Sequence, residues 1–263
     1  MWNGAQEIRG KLSSGRFVTG FAATLSDPTV SEMAACAGYD FVFIDAEHPP
    51  MDRQTIYHHL IAAQGGGAAA MVRVYGDDPH WLKAILDMGP DGVIFPFVHN
   101  ADIARRCVAA CAYPDVYIGG MRGQGPQRAV RWGFGETESY LRQPDKYLLK
   151  IMQIESYEGW KNIDDILAIP GVDGIYIGPA DISRSLNAKH SHDAPPLALV
   201  CEDVFRKTRA AGKWMGAPLP SDSARLSELL EMGAQWGVCG IDSEILAGSM
   251  RSNLALLESC TQK

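Results

Sequence analysis

The sequence lacks the long apolar runs that mark membrane-spanning or exported chains. No stretch reaches the roughly 18 uninterrupted apolar residues that a membrane-spanning helix needs. The opening residues, MWNGAQEIRGKLSSG, are polar and charged and contain no apolar core of a signal peptide. We therefore expect a cytoplasmic protein without a membrane partner.

Clusters of basic residues are missing as well. The chain has 24 lysine and arginine residues against 31 aspartate and glutamate residues, a formal net charge of -7. A nucleic-acid-binding surface needs a basic patch or stripe, and no grouping of that kind is present. The charge balance predicts a small-molecule partner and no nucleic acid.

Cysteine pairs of the kind that bind metals or form redox centres are missing, since the six cysteines are scattered along the chain. None of the cysteines forms a CxxC pair, and no His/Cys grouping has the spacing of zinc ligands. In a chain of this length the pattern predicts reduced thiols and no disulfide framework. The cysteines are Cys36, Cys107, Cys111, Cys201, Cys239 and Cys260.

Short apolar runs that suit buried strands alternate with segments of helical periodicity. Eight such runs occur, the number that closes a (β/α)8 TIM barrel. No Pro/Ser-rich linker divides the chain, so we predict one barrel domain over residues 1–263. The runs are Phe17 to Ala22, Phe41 to Ile44, Ala69 to Val74, Gly92 to Phe95, Leu149 to Ile154, Gly174 to Ile177, Trp214 to Ala217 and Gly237 to Gly240.

Two segments fall outside this repeat. The stretch from Tyr113 to Thr137 is irregular, and irregular segments of that length inside compact domains are usually functional. The tail has helical apolar spacing and should pack on a barrel. Its apolar positions are Ile245, Leu246, Met250, Leu254 and Leu257.

Two acidic residues follow apolar runs closely and outline a metal site. Glu155 lies in KIMQIES, where it ends the apolar run, and Asp181 lies in GVDGIYIGPADIS. The carboxyl ends of barrel strands carry the chemistry, so the two carboxylates should meet at one rim. Either residue alone could equally be a helix or turn cap.

The second and third runs add further reactive groups to the same rim. The second ends in FIDAEHPPMD, which supplies Asp45, Glu47 and His48, and a carboxylate can hold such a histidine as a general base. Arg73 lies inside the apolar run MVRV, where its charge needs an anion. A surface histidine and an internal salt bridge are the alternative interpretations. Oxygen ligands of this kind favour Mg²⁺ or Mn²⁺.

These motifs resemble the HpcH/HpaI family of class II, metal-dependent pyruvate aldolases over nearly the whole chain. The matching segments are DFVFIDAEHPPMD, MVRV, LKAILDMGPDGVIFPFV, MRGQG and QIESYEGWKNIDDILAIPGVDGIYIGPADIS. The resemblance implies cleavage of 4-hydroxy-2-oxo acids to pyruvate and an aldehyde through a pyruvate enolate. It also implies a divalent cation, Mg²⁺ or Mn²⁺ in the first place and Co²⁺ or Zn²⁺ as alternatives.

The resemblance further assigns roles to individual residues. It implies that Glu155 and Asp181 bind the metal and that His48, supported by Asp45, is the base. Arg73 would contact the keto oxygen or enolate, and Gln153 would lie close by. The main chain of Gly178, Pro179 and Ala180 would contact the substrate carboxylate.

The resemblance also implies a homohexamer, a trimer of dimers. In such an assembly the final helices are exchanged between neighbouring subunits. Asp87 would then reach the site of an adjacent subunit.

The chain departs from the family pattern where aldehyde specificity would be set. His99 in PFVHNAD replaces a small polar or amide residue, and MRGQGPQRAVRW is shorter than in some relatives. The sequence therefore leaves two alternatives, substrate contact or a purely structural role, for His99, Arg122 and Arg128.

Three other functions remain open at this stage. A Schiff-base aldolase needs a lysine at the active rim, whereas Lys150 and Lys213 begin their strands. A citrate-lyase-like enzyme would act on an acyl-CoA thioester. A non-catalytic barrel would bind an oxo acid without turning it over.

Overall fold

The fold is a closed barrel of eight parallel strands in sequential order, β1 to β8. A computed structural model describes residues 3–135, 137–190 and 194–261. Every strand pairs with its sequence neighbours, and β8 closes on β1. The strands are β1 Val18–Ala23, β2 Phe41–Asp45, β3 Ala69–Arg73, β4 Gly92–Phe95, β5 Leu149–Ile154, β6 Gly174–Ile177, β7 Trp214–Pro218 and β8 Trp236–Ile241.

Helices surround the barrel between the strands. Two 3₁₀ helices, Arg128–Gly133 and Pro144–Lys146, lie in the connection before β5. The α-helices are α1 Gly4–Ser13, α2 Thr29–Ala37, α3 Arg53–Gly65, α4 Pro79–Asp87, α5 Ala101–Cys111, α6 Thr137–Arg142, α7 Tyr157–Lys161, α8 Ile163–Leu167, α9 Pro179–His190, α10 Leu197–Ala210, α11 Ser223–Glu231 and α12 Asp242–Thr261. None of the described helices is long and apolar enough to cross a lipid bilayer.

The structure confirms the predicted (β/α)8 barrel. All eight strands begin and end within one residue of the predicted apolar runs. Alternating strand residues point inward and outward, so the barrel has two apolar layers. The inner layer includes Phe43, Met71 and Ile151, and the outer layer joins strand residues such as Val42 and Met152 to the helices.

The helix α1 was not predicted, and it closes the amino ends of the strands. Its buried face, Ala5, Ile8 and Leu12, joins the inner apolar layer of the barrel. Arg9 on the same helix forms a 2.8 Å ion pair with Asp173, just before β6. The end of the barrel opposite to the strand carboxyl ends is therefore filled.

The irregular segment from Tyr113 to Thr137 is fixed to the outside of the barrel by two buried arginines. Arg122 lies between the rings of Tyr113 and Tyr140 and donates a 2.8 Å hydrogen bond to the Tyr140 hydroxyl. Arg128 donates to the Gln64 side chain at 2.6 Å. Within this chain both arginines order the segment.

Beyond its first turn, the final helix, α12, does not pack on its own barrel. The structure describes every residue of α12, and Asp242 is the one that is buried. Its carboxylate accepts hydrogen bonds from the main-chain N–H groups of Thr24 and Leu25. The large apolar side chains beyond Asp242 are between 46% and 65% exposed. The predicted packing on a barrel is thus not made within this chain.

Candidate active site

The inner face of the barrel changes from apolar to polar at the carboxyl ends of the strands. Inward positions on β2 run Phe41, Phe43, Asp45, and those on β3 run Ala69, Met71, Arg73. On β5 the same alternation leads from Ile151 to Gln153 and then to Glu155. The period of two residues therefore directs all four polar side chains into one rim, as predicted.

Asp45 and Arg73 form a two-pronged ion pair at this rim. They are register partners on adjacent strands, and Arg73 donates from Nε to Asp45 Oδ1 at 2.9 Å and from Nη2 to Oδ2 at 2.6 Å. Burial disfavours the charge of Arg73, but the hydrogen bonds and charge of Asp45 outweigh it and raise the pKa of Arg73. The guanidinium is therefore held charged, 5.2 Å from the centre of the Phe43 ring.

Glu155 is a buried carboxylate held by two hydrogen bonds. Its side chain accepts the main-chain N–H of Phe97 at Oε1, 2.7 Å away, and the Gln153 amide at Oε2, 2.5 Å away. The residue is only 3% exposed. Burial, with the charges of Glu47 and Asp181, raises the pKa of Glu155 to about 7, although the Phe97 N–H acts in the opposite direction.

The turn between β6 and α9 brings the main chain against Glu155. Gly178 donates its N–H to the Ile154 carbonyl at 2.9 Å. A side chain at this position would meet the Glu155 Cβ at 2.7 Å, so a glycine is required for the close approach. Pro179 and Ala180 start α9, and Asp181 lies in its first turn and is half-buried.

His48 stands at the edge of the same rim without the partner that we expected. Its side chain is 66% exposed, and its Nε2 lies 4.0 Å from Glu47 Oε2. The Asp45 carboxylate is occupied by Arg73 and by the Glu47 main-chain N–H. Within the described contacts no hydrogen bond joins Asp45 to His48, because the strand register directs Asp45 toward β3.

Glu47 lies inside the site, a position that our sequence reasoning named but did not assign. Its Oε2 is 3.2 Å from Arg73 Nε, and burial raises the pKa of its carboxyl. Glu47 also interacts electrostatically with Glu155 and Asp181. Its position between Asp45 and His48 in one turn was the available sequence signal.

Asp87 and the two strand-initial lysines lie away from this rim. Asp87 ends α4, which returns from the carboxyl to the amino ends of the strands, and burial raises the pKa of its carboxyl. Lys150 Nζ pairs with Asp145 at 2.5 Å, and Lys213 Nζ donates to the Val172 carbonyl at 2.7 Å. These two lysines lie at the amino ends of β5 and β7, where a Schiff-base lysine would not reach the rim.

His99 occupies the loop after β4, next to the glutamate. Its Nδ1 is 2.7 Å from the Ser156 hydroxyl, and its carbonyl accepts the Asn162 amide at 2.8 Å. Its ring lies 5.9 Å from that of Phe97. Within this chain His99 holds the loop to the start of α7.

The donor set at the rim fits a divalent cation with oxygen ligands. Two buried acceptor atoms, Gln153 Oε1 and Glu47 Oε2, accept no hydrogen bond within the described residues, although the second lies in an ion pair with Arg73. Burial and neighbouring carboxylate charge raise the pKa of Glu47 and of Glu155. In the described part of the chain no three His, Cys, Asp or Glu side chains are grouped as a metal site. A cation here would have two protein carboxylates, with the other positions left to substrate and water.

The chain belongs to the HpcH/HpaI aldolase/citrate lyase family, whose model matches residues 19–248. The family predicted from the sequence motifs is thereby confirmed. Relatives named as aldolases, identical to this chain at about a third of the positions over most of its length, define the class: the protein is a carbon–carbon lyase of the aldolase type.

Relatives and solved structures match nearly the whole chain. A 2-keto-3-deoxy-L-rhamnonate aldolase of Klebsiella pneumoniae subsp. pneumoniae is 33% identical over 252 residues, 96% of this chain and 91% of that protein. The crystal structure of an HpcH/HpaI aldolase/citrate lyase family protein from Burkholderia cenocepacia J2315 gives a TM-score of 0.85 at 27% identity and covers 96% of this chain and 99% of that one. The citrate synthase SbnG gives 0.83 at 27% identity, covering 97% and 98%.

Proposed function

We propose that the protein is a metal-dependent pyruvate aldolase that cleaves 4-hydroxy-2-oxo acids to pyruvate and an aldehyde and catalyses the reverse addition. The observation that carries this proposal is the convergence at one rim of the fixed Arg73 guanidinium and the Glu155 and Asp181 carboxylates. Relatives named 2-keto-3-deoxy-L-rhamnonate aldolase support a 2-keto-3-deoxy sugar acid as the substrate class.

Glu155 and Asp181 are the proposed ligands of the cation. Hard carboxylate ligands favour Mg²⁺ or Mn²⁺, with Co²⁺ or Zn²⁺ as alternatives. When bound, the cation supplies Lewis-acid polarisation of the substrate's 2-oxo and carboxylate oxygens. The Phe97 N–H and the Gln153 amide keep the Glu155 carboxylate in place for this role.

Arg73 is proposed to stabilise the charge that develops on the 2-oxo oxygen as the C3–C4 bond breaks. Asp45 engages Nε and Nη2, so the plane of the guanidinium is set before substrate arrives and the Nη1 donors are assigned to the substrate. Helix geometry leaves the first N–H groups of α9 without intrahelical partners. With the turn of Gly178, Pro179 and Ala180 they are proposed to bind the substrate carboxylate, beside Gln153.

His48 is proposed as the base that removes the 4-hydroxyl proton while the aldehyde carbonyl forms. The released enolate is then protonated at C3 to give pyruvate. Asp45 orients Arg73 in this chain, and the carboxylate nearest to His48 among its described contacts is that of Glu47. A carboxylate from a neighbouring subunit is therefore proposed to complete the surroundings of His48.

The assembly proposed for this function is a homohexamer, a trimer of dimers with exchanged α12 helices. The exposed apolar side chains of α12 support it because they find no cover on their own barrel. The position of Asp87 at the opposite end of its own barrel supports a role for the partner subunit's Asp87 in the site.

We also propose that residues 1–263 form one domain and that the protein works in the cytoplasm. Support for the second point comes from the cysteines, all six of which are free.

Release of pyruvate from a 2-keto-3-deoxy sugar acid, followed by coupled reduction to lactate, tests the proposal. Wild-type protein with Mn²⁺ should release pyruvate, and EDTA should stop it. Glu155→Ala and Asp181→Ala should each lower the rate by at least about a thousandfold while the circular dichroism is retained. Asp102→Ala, which removes an exposed carboxylate on α5, is the matched control and should keep full activity. Wild-type rates in either site variant would overturn the metal assignment.

The similarity to a citrate synthase gives the second candidate, an enzyme acting on acyl-CoA thioesters. Saturation kinetics with a CoA ester, and none with free oxo acids, would favour this candidate. A Schiff-base aldolase would be trapped by borohydride in the presence of pyruvate. We expect no trapping, since Lys150 and Lys213 lie at the other end of the barrel. Pyruvate binding without turnover would favour the non-catalytic barrel.

A further inference from the structure

Phe97 has a backbone conformation that phenylalanine rarely adopts. Its φ is +51°, in the left-handed region, and it directly follows Pro96 after the end of β4. Within the described residues two other non-glycine residues share this feature, Arg131 and Trp132, and both lie in the 3₁₀ segment outside the barrel. A strained residue of this kind persists only where its surroundings fix it, and such residues concentrate at functional sites.

The conformation turns the N–H of Phe97 from the sheet to the Glu155 side chain. Phe95 is still in register with Met152 on β5, and Val98 again donates its N–H to the Gln153 carbonyl at 3.3 Å. Between these two points Phe97 donates to Glu155 Oε1 at 2.7 Å. The interrupted strand pairing therefore supplies one main-chain donor to the buried carboxylate.

The neighbouring residues hold this loop in place. His99 is tied to the Ser156 hydroxyl at 2.7 Å and to the Asn162 amide at 2.8 Å. One residue nearer to Phe97, a glycine, Gly159, allows α7 to approach the Val98 carbonyl, which a Cβ would meet at 2.8 Å. The unfavourable φ of Phe97 is thus enforced by the strand pairing of Phe95 before it and by the contacts of Val98 and His99 after it.

The Phe97 side chain does not explain the conformation by packing. It is 44% exposed, and its ring lies 5.9 Å from that of His99, tilted by 49°. By contrast, the main-chain N–H is one of the two donors that fix the Glu155 carboxylate.

We infer that Phe97 is a positioning residue whose left-handed backbone, and not its ring, orients Glu155 for binding the divalent cation. This inference rests on the proposed function, since it gives Glu155 a cation to bind. Residues that orient a metal ligand by hydrogen bonding typically change metal affinity by about 10- to 100-fold when altered.

The test compares the affinity of wild type and of Phe97 variants for Mn²⁺, without substrate. The variants differ in how well the new residue tolerates a positive φ. Electron paramagnetic resonance of the free ion measures the affinity. Phe97→Gly and Phe97→Asn accept the left-handed region and should bind Mn²⁺ within about threefold of wild type. Phe97→Ala should bind more weakly, and the β-branched Phe97→Ile should lose about 10- to 100-fold. Trp132→Ile, at a residue with the same φ but outside the barrel, is the matched control and should not change the affinity.

A role for the ring in packing predicts the reverse order, because isoleucine replaces the lost volume best and glycine worst. Affinities that fall from Ile to Ala to Gly, or that are equal in all variants, would overturn the inference. If Phe97→Ile does not fold, the order of Gly and Ala still decides between the two. Absence of any Mn²⁺ binding by the wild-type protein would instead contradict the proposed function, so the two failures are distinguishable.

Discussion

Glu155 combines two properties that are usually separate in a carboxylate, near-complete burial and close carboxylate neighbours. Burial withdraws its charge from water, and Glu47 and Asp181 add repulsion, so its pKa rises to about 7. A carboxylate with a raised pKa is poised to exchange its proton for a cation near neutral pH.

This pKa predicts how the metal-free protein responds to pH. Between the ordinary value of 4.5 and about 7 the folded state binds more protons at Glu155 than the unfolded state, so its contribution to stability falls as pH rises through this window. Glu155→Gln lacks this contribution. The melting temperature of Glu155→Gln relative to wild type, measured in EDTA, should therefore increase from pH 5 to pH 8.

Addition of Mn²⁺ should raise the melting temperature of wild type and leave that of Glu155→Gln nearly unchanged, since only a ligand of the folded state stabilises it. A difference between the two proteins that is the same at every pH would contradict the assigned environment of Glu155.

The sequence was sufficient to predict most of the residues that meet at the rim, but not the role of Glu47 and not all of their contacts. Asp45, Arg73 and Glu155 could be placed there because alternation along each strand fixes their direction. The Asp45–Arg73 pair depends on the register between β2 and β3, which no single strand encodes. The role of Phe97 was missed for a different reason, because phenylalanine carries no preference for the left-handed backbone it adopts.

The helix α1 stabilises the barrel at the end away from the active site, so a change in α1 should affect stability and not activity. Ile8 is 4% exposed and packs into the inner apolar layer at the end opposite to the rim. Ile8→Ala should lower the free energy of unfolding by about 2–5 kcal/mol in urea titrations. Pyruvate release by the folded protein should stay at the wild-type rate.

Ile118→Ala is the control for this prediction, because Ile118 is 99% exposed and should leave the stability nearly unchanged. An equal effect of both substitutions would show that α1 does not close the barrel as described.

The periodicity of the sequence predicted every strand but missed some helices, among them α1 and α9. Short apolar runs located every strand. Gly38, Gly89, Gly171, Gly212 and Gly233 lie between a helix and the next strand and have positive φ, the conformation in which a glycine commonly follows the end of a helix. The helix α1 was missed because only Ala5, Ile8 and Leu12 of its ten residues are buried, which is a weak pattern. The helix α9 was missed because its start at Pro179 reads as a turn.

At the scale of the whole molecule, the uncovered apolar face of α12 predicts an assembly. The wild-type mass in light scattering should be about 172 kDa, six times the 28.6 kDa chain. Leu254→Asp places a charge in that face and should give smaller species with reduced activity, because each site would lose its neighbouring subunit. Arg251→Asp, an exposed change on the same helix, is a control for charge alone. A monomeric, fully active wild-type protein would contradict the exchange of α12.

This barrel is proposed to stabilise a pyruvate enolate with the help of a divalent cation. Proton NMR of pyruvate in D₂O with the purified protein tests this proposal without knowledge of the aldehyde. The methyl signal should disappear in the presence of Mg²⁺, or of Mn²⁺ at low loading, and persist with EDTA or with Glu155→Ala. A methyl signal that persists with every divalent ion, while the protein is folded and assembled, would contradict the proposal.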